Sequence, residues 1–192
     1  MRKKALSAAA AALTALAASA AVAAAAPAPA SAAAVKIEVV PAYSETVLEP
    51  WDPVTCPTNM VLTGRSHYGD EEALTTYTCS FVLINGEQAR VYLSEWSARQ
   101  KESRADFSAP DHRAVAARWH EGDENGYTRY RTATMYWRGQ QVLLANGEVS
   151  DPYRESSHDW QAPANTVMTG RKHTGDENGT SYYRFATVTV AG

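Results

Sequence analysis

The chain has only two cysteines and three phenylalanines, and no long apolar run beyond its N-terminal stretch. Two cysteines cannot build a disulfide-dense scaffold or a cysteine-rich metal site, so a packed core must hold the fold. A single apolar stretch excludes a polytopic membrane protein. There is no Gly-x-Ser-x-Gly, no Walker loop and no dinucleotide fingerprint. There is also no Asp-x-Asp-x-Asp ladder for calcium and no His-x-x-x-His pair for zinc. No convincing amphipathic helix is present, and Glu95–Ala105 reads as a loop or a short helix. Basic charge is scarce as well. Without Arg2, Lys3 and Lys4, the 18 basic residues fall to 15 against 21 acidic ones. A mildly acidic surface argues against nucleic acid and anionic membranes as partners, and leaves sugars, cations or proteins.

The N-terminus carries its own signal. Arg2-Lys3-Lys4 precede a long Ala/Leu stretch, and A-x-A sites follow at Ala28-Pro29-Ala30 and Ala32-Ala33-Ala34. Residues 1–34 are therefore expected to be a Sec-type signal peptide, with cleavage near residues 30–34, and the protein to be secreted and extracellular. A membrane anchor is the competing reading, weakened by the low hydrophobicity of alanine. In an oxidising compartment Cys56 and Cys79 are expected to pair.

What the chain does have is a period. Pro57, Pro110 and Pro163 recur 53 residues apart, each followed by Arg-x-His: Arg65/His67, Arg118/His120 and Arg171/His173. A Gly-Asp-Glu then carries Asp70, Asp123 or Asp176, and Tyr77, Tyr130 or Tyr183 closes the unit. A constant offset implies a structural repeat. β-branched and aromatic flanks around Asn125-Gly126 and Asn178-Gly179 indicate β-hairpins, and Glu72-Ala73 in the first copy requires a different turn. Period-2 alternation places Val167, Thr169, Arg171 and His173 on one face of their strand. The expected fold is all-β: a pseudo-threefold repeat domain, trefoil- or prism-like, with repeats near 56–108, 109–161 and 162–192. Residues 35–55 precede it as an extended N-terminal arm or as the strand that closes the ring.

Two meanings fit the Arg-x-His-x-Gly-Asp-Glu unit. It can form one ligand pocket per repeat, with carboxylates, arginine and an aromatic such as Trp119 or Tyr183 gripping a sugar. Or it shapes the turn, with Arg and His satisfying the carboxylates at the surface. Neither reading calls for a cofactor or a metal. No catalytic residues emerge: the paper set Ser66, His67 and Asp70 lies along one hairpin, and Ser66 becomes Trp119 and Lys172 in the other copies. Phe107 and Trp160 match across copies and read as core. Trp96, Trp119 and Trp137 have no aromatic counterparts and are candidates for a contact surface.

The units Thr169-Gly170-Arg171-Lys172-His173-Thr174-Gly175-Asp176-Glu177-Asn178-Gly179 and Arg118–Gly126 occur here with an Ala-rich signal peptide and an N-terminal segment. In this the chain resembles small secreted repeat proteins of filamentous actinobacteria, and specifically the adaptor subunits of the umbrella toxin (Umb) particles. The resemblance implies a non-enzymatic adaptor that bridges a lectin-bearing subunit and the toxin subunit, in particles that antagonise competing bacteria. It also implies that Val35–Pro53 lies in a partner's cleft, with Val35, Ile37, Val39, Tyr43, Val47, Leu48 and Trp51 as partner-binding residues. A secreted carbohydrate-binding protein is the alternative, and an enzyme inhibitor using the arm as a substrate mimic a third.

Overall fold

The computed structural model of the chain describes residues 34–49, 52–70, 73–123, 125–176 and 178–191. Residues 1–33 of the expected signal peptide, Trp51, and Glu71, Glu72, Glu124 and Glu177 of the turns lie outside the described residues. Residues 34–192 cluster as a single compact unit, with no boundary at residue 55.

The described residues form antiparallel strands and one short 3-10 turn. The first run is β1 (Ile37–Leu48), β2 (Val54–Thr55), β3 (Met60–Tyr68), β4 (Leu74–Ile84) and β5 (Glu87–Gln88). The second is β6 (Arg90–Trp96), β7 (Gln100–Lys101), the 3-10 turn Glu102–Arg104, β8 (Asp106–Ser108), β9 (Arg113–Glu121), β10 (Tyr127–Trp137) and β11 (Gln140–Gln141). The third is β12 (Leu143–Val149), β13 (Tyr153–Arg154), β14 (Ser157–Gln161), β15 (Thr166–Thr174) and β16 (Thr180–Thr189). The stretch Glu95–Ala105 thus ends one strand, adds a two-residue strand and makes a single 3-10 turn.

Three sheets result. The first runs β1-β4-β3-β14, the second β6/β7-β10-β9-β2, and the third β12/β13-β16-β15-β8. Each is a hairpin flanked by an outer strand and, on the other side, by a short strand from a different run. β14 pairs with β3, β2 with β9, and β8 with β15. Each run therefore gives its short strand to another run's sheet, and no sheet is built from one run alone.

The N-terminal segment is an integral strand. Ile37–Leu48 pairs with β4 from the Ile37–Ile84 rung to the Leu48–Leu74 rung. Pro41 sits at a bulge on this edge strand, where its missing N–H costs no ladder bond. Among the described residues only 34–36 precede the strand, so Ile37–Leu48 is not a free arm. The described chain also carries a disulfide between Cys56 and Cys79, with Cα atoms 5.6 Å apart. It ties the entry to β3 onto β4, and closing a loop of this length stabilises by about 3 kcal/mol.

The central strands β3, β9 and β15 are buried on both faces over much of their length. Each carries one extra residue: the register slips between Leu62 and Gly64, across the matching step of β9 and β10, and between Met168 and Gly170. The bulge corrects the simple alternation. Val167 belongs to one apolar cluster, with Val61 and Ala114, while Met168 joins the other with Leu62, Val115 and Tyr183. Arg171 and His173 therefore do not continue the face that Val167 begins, because one inserted residue inverts the side-chain order beyond it.

Candidate functional site

The residues the sequence singles out converge in the interior. Arg65, Arg118 and Arg171 are at most 3% exposed, and their partners are three glutamates outside the hairpin motif. Arg65 Nη2 lies 3.1 Å from Glu49 Oε2, and its Nη1 2.7 Å from Glu155 Oε1. Arg118 pairs with Glu49 through Nη1, and its Nη2 lies 3.0 Å from Glu102 Oε1. Arg171 closes the circuit, 2.6 Å from Glu102 and 2.8 Å from Glu155. Six charges alternate in sign, and each bridges two of the other kind. A lone ion buried like this costs several kcal/mol; with two partners apiece the charges offset that penalty and sum to zero. Burial works against the charged forms of Glu49 and Glu155. The neighbouring guanidiniums outweigh it and hold both carboxyls well below the usual range.

The histidines and tyrosines line the same circuit. His67 Nδ1 bonds to Thr75 Oγ1 at 2.6 Å, and His173 Nδ1 to Ser181 Oγ at 3.0 Å. His120 lies 3.5 Å from Glu49. Burial, followed by the charge of Arg65 and Arg171 respectively, pushes His67 and His173 down to about 4. His158 is likewise brought to about 4, by burial and Arg65, and its Nε2 meets Tyr183 Oη at 2.6 Å. These rings are neutral at pH 7. Tyr77 donates to Glu49, and Tyr183 is stacked beneath Trp160, ring centroids 4.3 Å apart.

Both readings of the hairpin motif need correction on location. Arg and His form neither a surface network nor a sugar pocket with the turn carboxylates; the side chains are buried, and only His120 and His173 reach the turns, through the Asp123 and Gly175 backbone carbonyls at 3.3 and 3.0 Å. Tyr183 is fully buried and cannot stack on a sugar. Asp70, Asp123 and Asp176 stay exposed in the turns. Asp123 accepts from the Asn125 N–H at 2.8 Å and Asp176 from the Asn178 N–H at 2.9 Å, which shapes the loop. Among the described residues no cluster of His, Cys, Asp or Glu is arranged to hold a metal. Glu49, Glu102 and Glu155 were missed although they also stand 53 apart. The repeat in identity was their signal, but each falls in a stretch that reads as linker.

The outward surfaces differ from sheet to sheet. On the first, Leu48 lies opposite Leu74, and Tyr68 follows the His67–Thr75 rung; Leu74 and Tyr68 are each 60% exposed. Val35 and Tyr43 are also exposed, Ile37 and Val39 half-buried, and Val47 buried in the core. Val47 is therefore no contact residue for an external partner, because its side chain is spent on internal packing. On the second sheet, Trp96 and Trp119 meet edge to face, with Arg129 4.0 Å above the Trp119 ring. No helix among the described residues is long and apolar enough to cross a membrane. No protein-family model, curated protein or solved structure matches the chain.

Proposed function

We propose that this protein is a secreted, non-enzymatic adaptor in an extracellular antibacterial toxin complex, joining a lectin-bearing subunit to a toxin subunit. The resemblance of the repeat units supplies the identity of the complex. The observation that carries the binding role is the exposed apolar rung Leu48–Leu74 with Tyr68 beside it, on a sheet whose outer strand β1 has an edge unpaired among the described residues. Side chains of this size left in water at a hairpin end mark a protein contact. The burial of Arg65, Arg118, Arg171 and their glutamates supports the non-enzymatic side: the most perturbed groups are enclosed and paired, with no face toward a substrate. Three sheets that exchange short strands, with Arg and Glu recurring at 53-residue offsets, support a closed pseudo-threefold arrangement of the prism type. The disulfide supports an extracellular location.

Affinity purification from culture supernatant tests the reading. The natural chain is expected to retain a stable multi-subunit complex, and the double substitution Leu48→Asp/Leu74→Asp to lose it while keeping its circular dichroism spectrum. Capture unchanged by that pair of exposed substitutions, or a protein that elutes alone, would overturn the adaptor.

A further inference from the structure

The second sheet carries a feature the other two lack. Its outward face holds two adjacent rungs: Arg90 opposite Tyr136, and Tyr92–Thr134–Arg113 across three strands. Their rung counterparts are Glu38–Leu83 and Val40–Phe81–Met60 on the first sheet, and Leu143–Thr189 and Ala145–Thr187–Thr166 on the third. None of these rungs sets a guanidinium beside an aromatic ring. Arginine and tyrosine here are not demanded by the fold. The opposite face, with Ala133, Met135 and Ala114, is packed in the core like its counterparts.

These rungs floor an open groove of about 840 Å³, within the size range of small-ligand sites. One wall is a clasp between the β4–β5 end and the β10–β11 turn. Glu87 accepts from Trp137 Nε1 at 3.0 Å and from Arg138 Nε at 2.9 Å. Arg138 holds a left-handed backbone, φ 49°, uncommon for a side chain of its size. The clasp fixes the Trp137 ring and occupies the one acidic side chain lining the groove. Arg90 and Arg113, by contrast, make no side-chain hydrogen bond or ion pair among the described residues. Tyr92, 56% exposed, meets Tyr136 edge to face at 5.7 Å.

On a chain of net negative charge, two unpaired guanidiniums flanked by the exposed Tyr92 and the half-buried Tyr136 form a specific combination. Guanidinium forks match carboxylate or phosphate oxygens in bidentate fashion. Exposed ring faces take the apolar C–H face of a sugar, while open Tyr hydroxyls exchange hydrogen bonds with its hydroxyl groups. We propose that this groove binds an anionic saccharide, with Arg90 and Arg113 pairing the acidic group and Tyr92 and Tyr136 stacking on the ring. The site lies away from the Leu48–Leu74 surface, and it stands or falls independently of the adaptor reading. An acidic peptide would satisfy the arginines but leave the aromatic wall without a flat partner.

Isothermal titration of the purified protein tests this with four probes: a short oligogalacturonate, the same oligomer with its carboxyls reduced to alcohols, a phosphorylated oligosaccharide of equal length, and hexaglutamate. At least one anionic saccharide is expected to bind, which also names the anion, with the reduced oligomer weaker by about tenfold or more. Arg90→Ala, Arg113→Lys and Tyr92→Ala should each weaken that binding by about tenfold, and Lys172→Ala on the third sheet should leave it unchanged. Arg90 and Tyr92 are exposed, so their truncation removes no core contact, and a thermal melt verifies folding. Equal binding of the reduced oligomer, equal or tighter binding of hexaglutamate, no binding of either anionic saccharide, or indifference to all three groove substitutions would overturn the proposal.

Discussion

Glu102 shows how much one side chain can control here. It bridges Arg118 and Arg171 from a 3-10 turn, and it is 3% exposed. Glu102→Ala leaves two buried guanidiniums each short of a partner, and it is expected to cost about 3–5 kcal/mol, read from urea denaturation. Acid acts on the same circuit. His67, His158 and His173 sit at about 4 in the folded protein, against about 6.5 in an unfolded chain. Between those values the unfolded chain binds protons that the folded one refuses. Their contribution is thus fully present above pH 6.5 and is lost as pH falls toward 4. Below the ordinary carboxylate range Glu49 and Glu155, held low in the fold, extend the loss. The thermal midpoint is expected to fall progressively from pH 7 to 4, and His158→Gln to show a smaller drop between pH 6.5 and 5 than the natural chain. Little of this was legible beforehand. Arg-x-His was visible, but nothing in a strand pattern reveals that the partner of Arg65 comes from Glu155, 90 positions further along.

At the scale of the element, the hairpins were legible because their turns carry local chemistry. Asp123 and Asp176 cap the loop, and Gly126 and Gly179 allow the close approach: a Cβ on Gly126 would meet the Glu121 carbonyl oxygen at 2.0 Å, and one on Gly179 the Thr174 oxygen at 2.3 Å. Gly126→Ala is expected to destabilise by roughly 1–3 kcal/mol, measured as a lower thermal midpoint, because the obstructing atoms are backbone and cannot swing aside. Ala73, at the matching place of the first hairpin, already carries a methyl group, and Ala73→Gly is expected to change the midpoint little. The central-strand bulges were not legible. Thr63, Ala116 and Thr169 look like ordinary strand residues, yet the extra residue at this place decides which side chains face the buried ion pairs. For the same reason β1 was ambiguous: its pairing with β4 depends on a partner about 40 residues away, which alternation alone cannot specify.

Across the whole molecule, the sequence period does not say how the three sheets are joined. Exchange of β2, β8 and β14 makes every sheet depend on two runs of chain. Unfolding is therefore expected to be a single cooperative transition, with far-UV circular dichroism and tryptophan fluorescence coincident in urea. Three sheets melting separately would show as displaced curves, since Trp160 reports the first–third junction and Trp96 and Trp119 the second sheet.

The alternating circle of acids and bases has a further consequence for how such a chain can drift. No single position in it can change sign unless both neighbours change with it, so the centre is locked by mutual dependence. The outward faces carry no such obligation, as Glu38, Arg90 and Leu143 on matching rungs illustrate. Invention is thereby confined to the rim. Exchanging a handful of rim residues would remake an outward face and leave the keystone undisturbed.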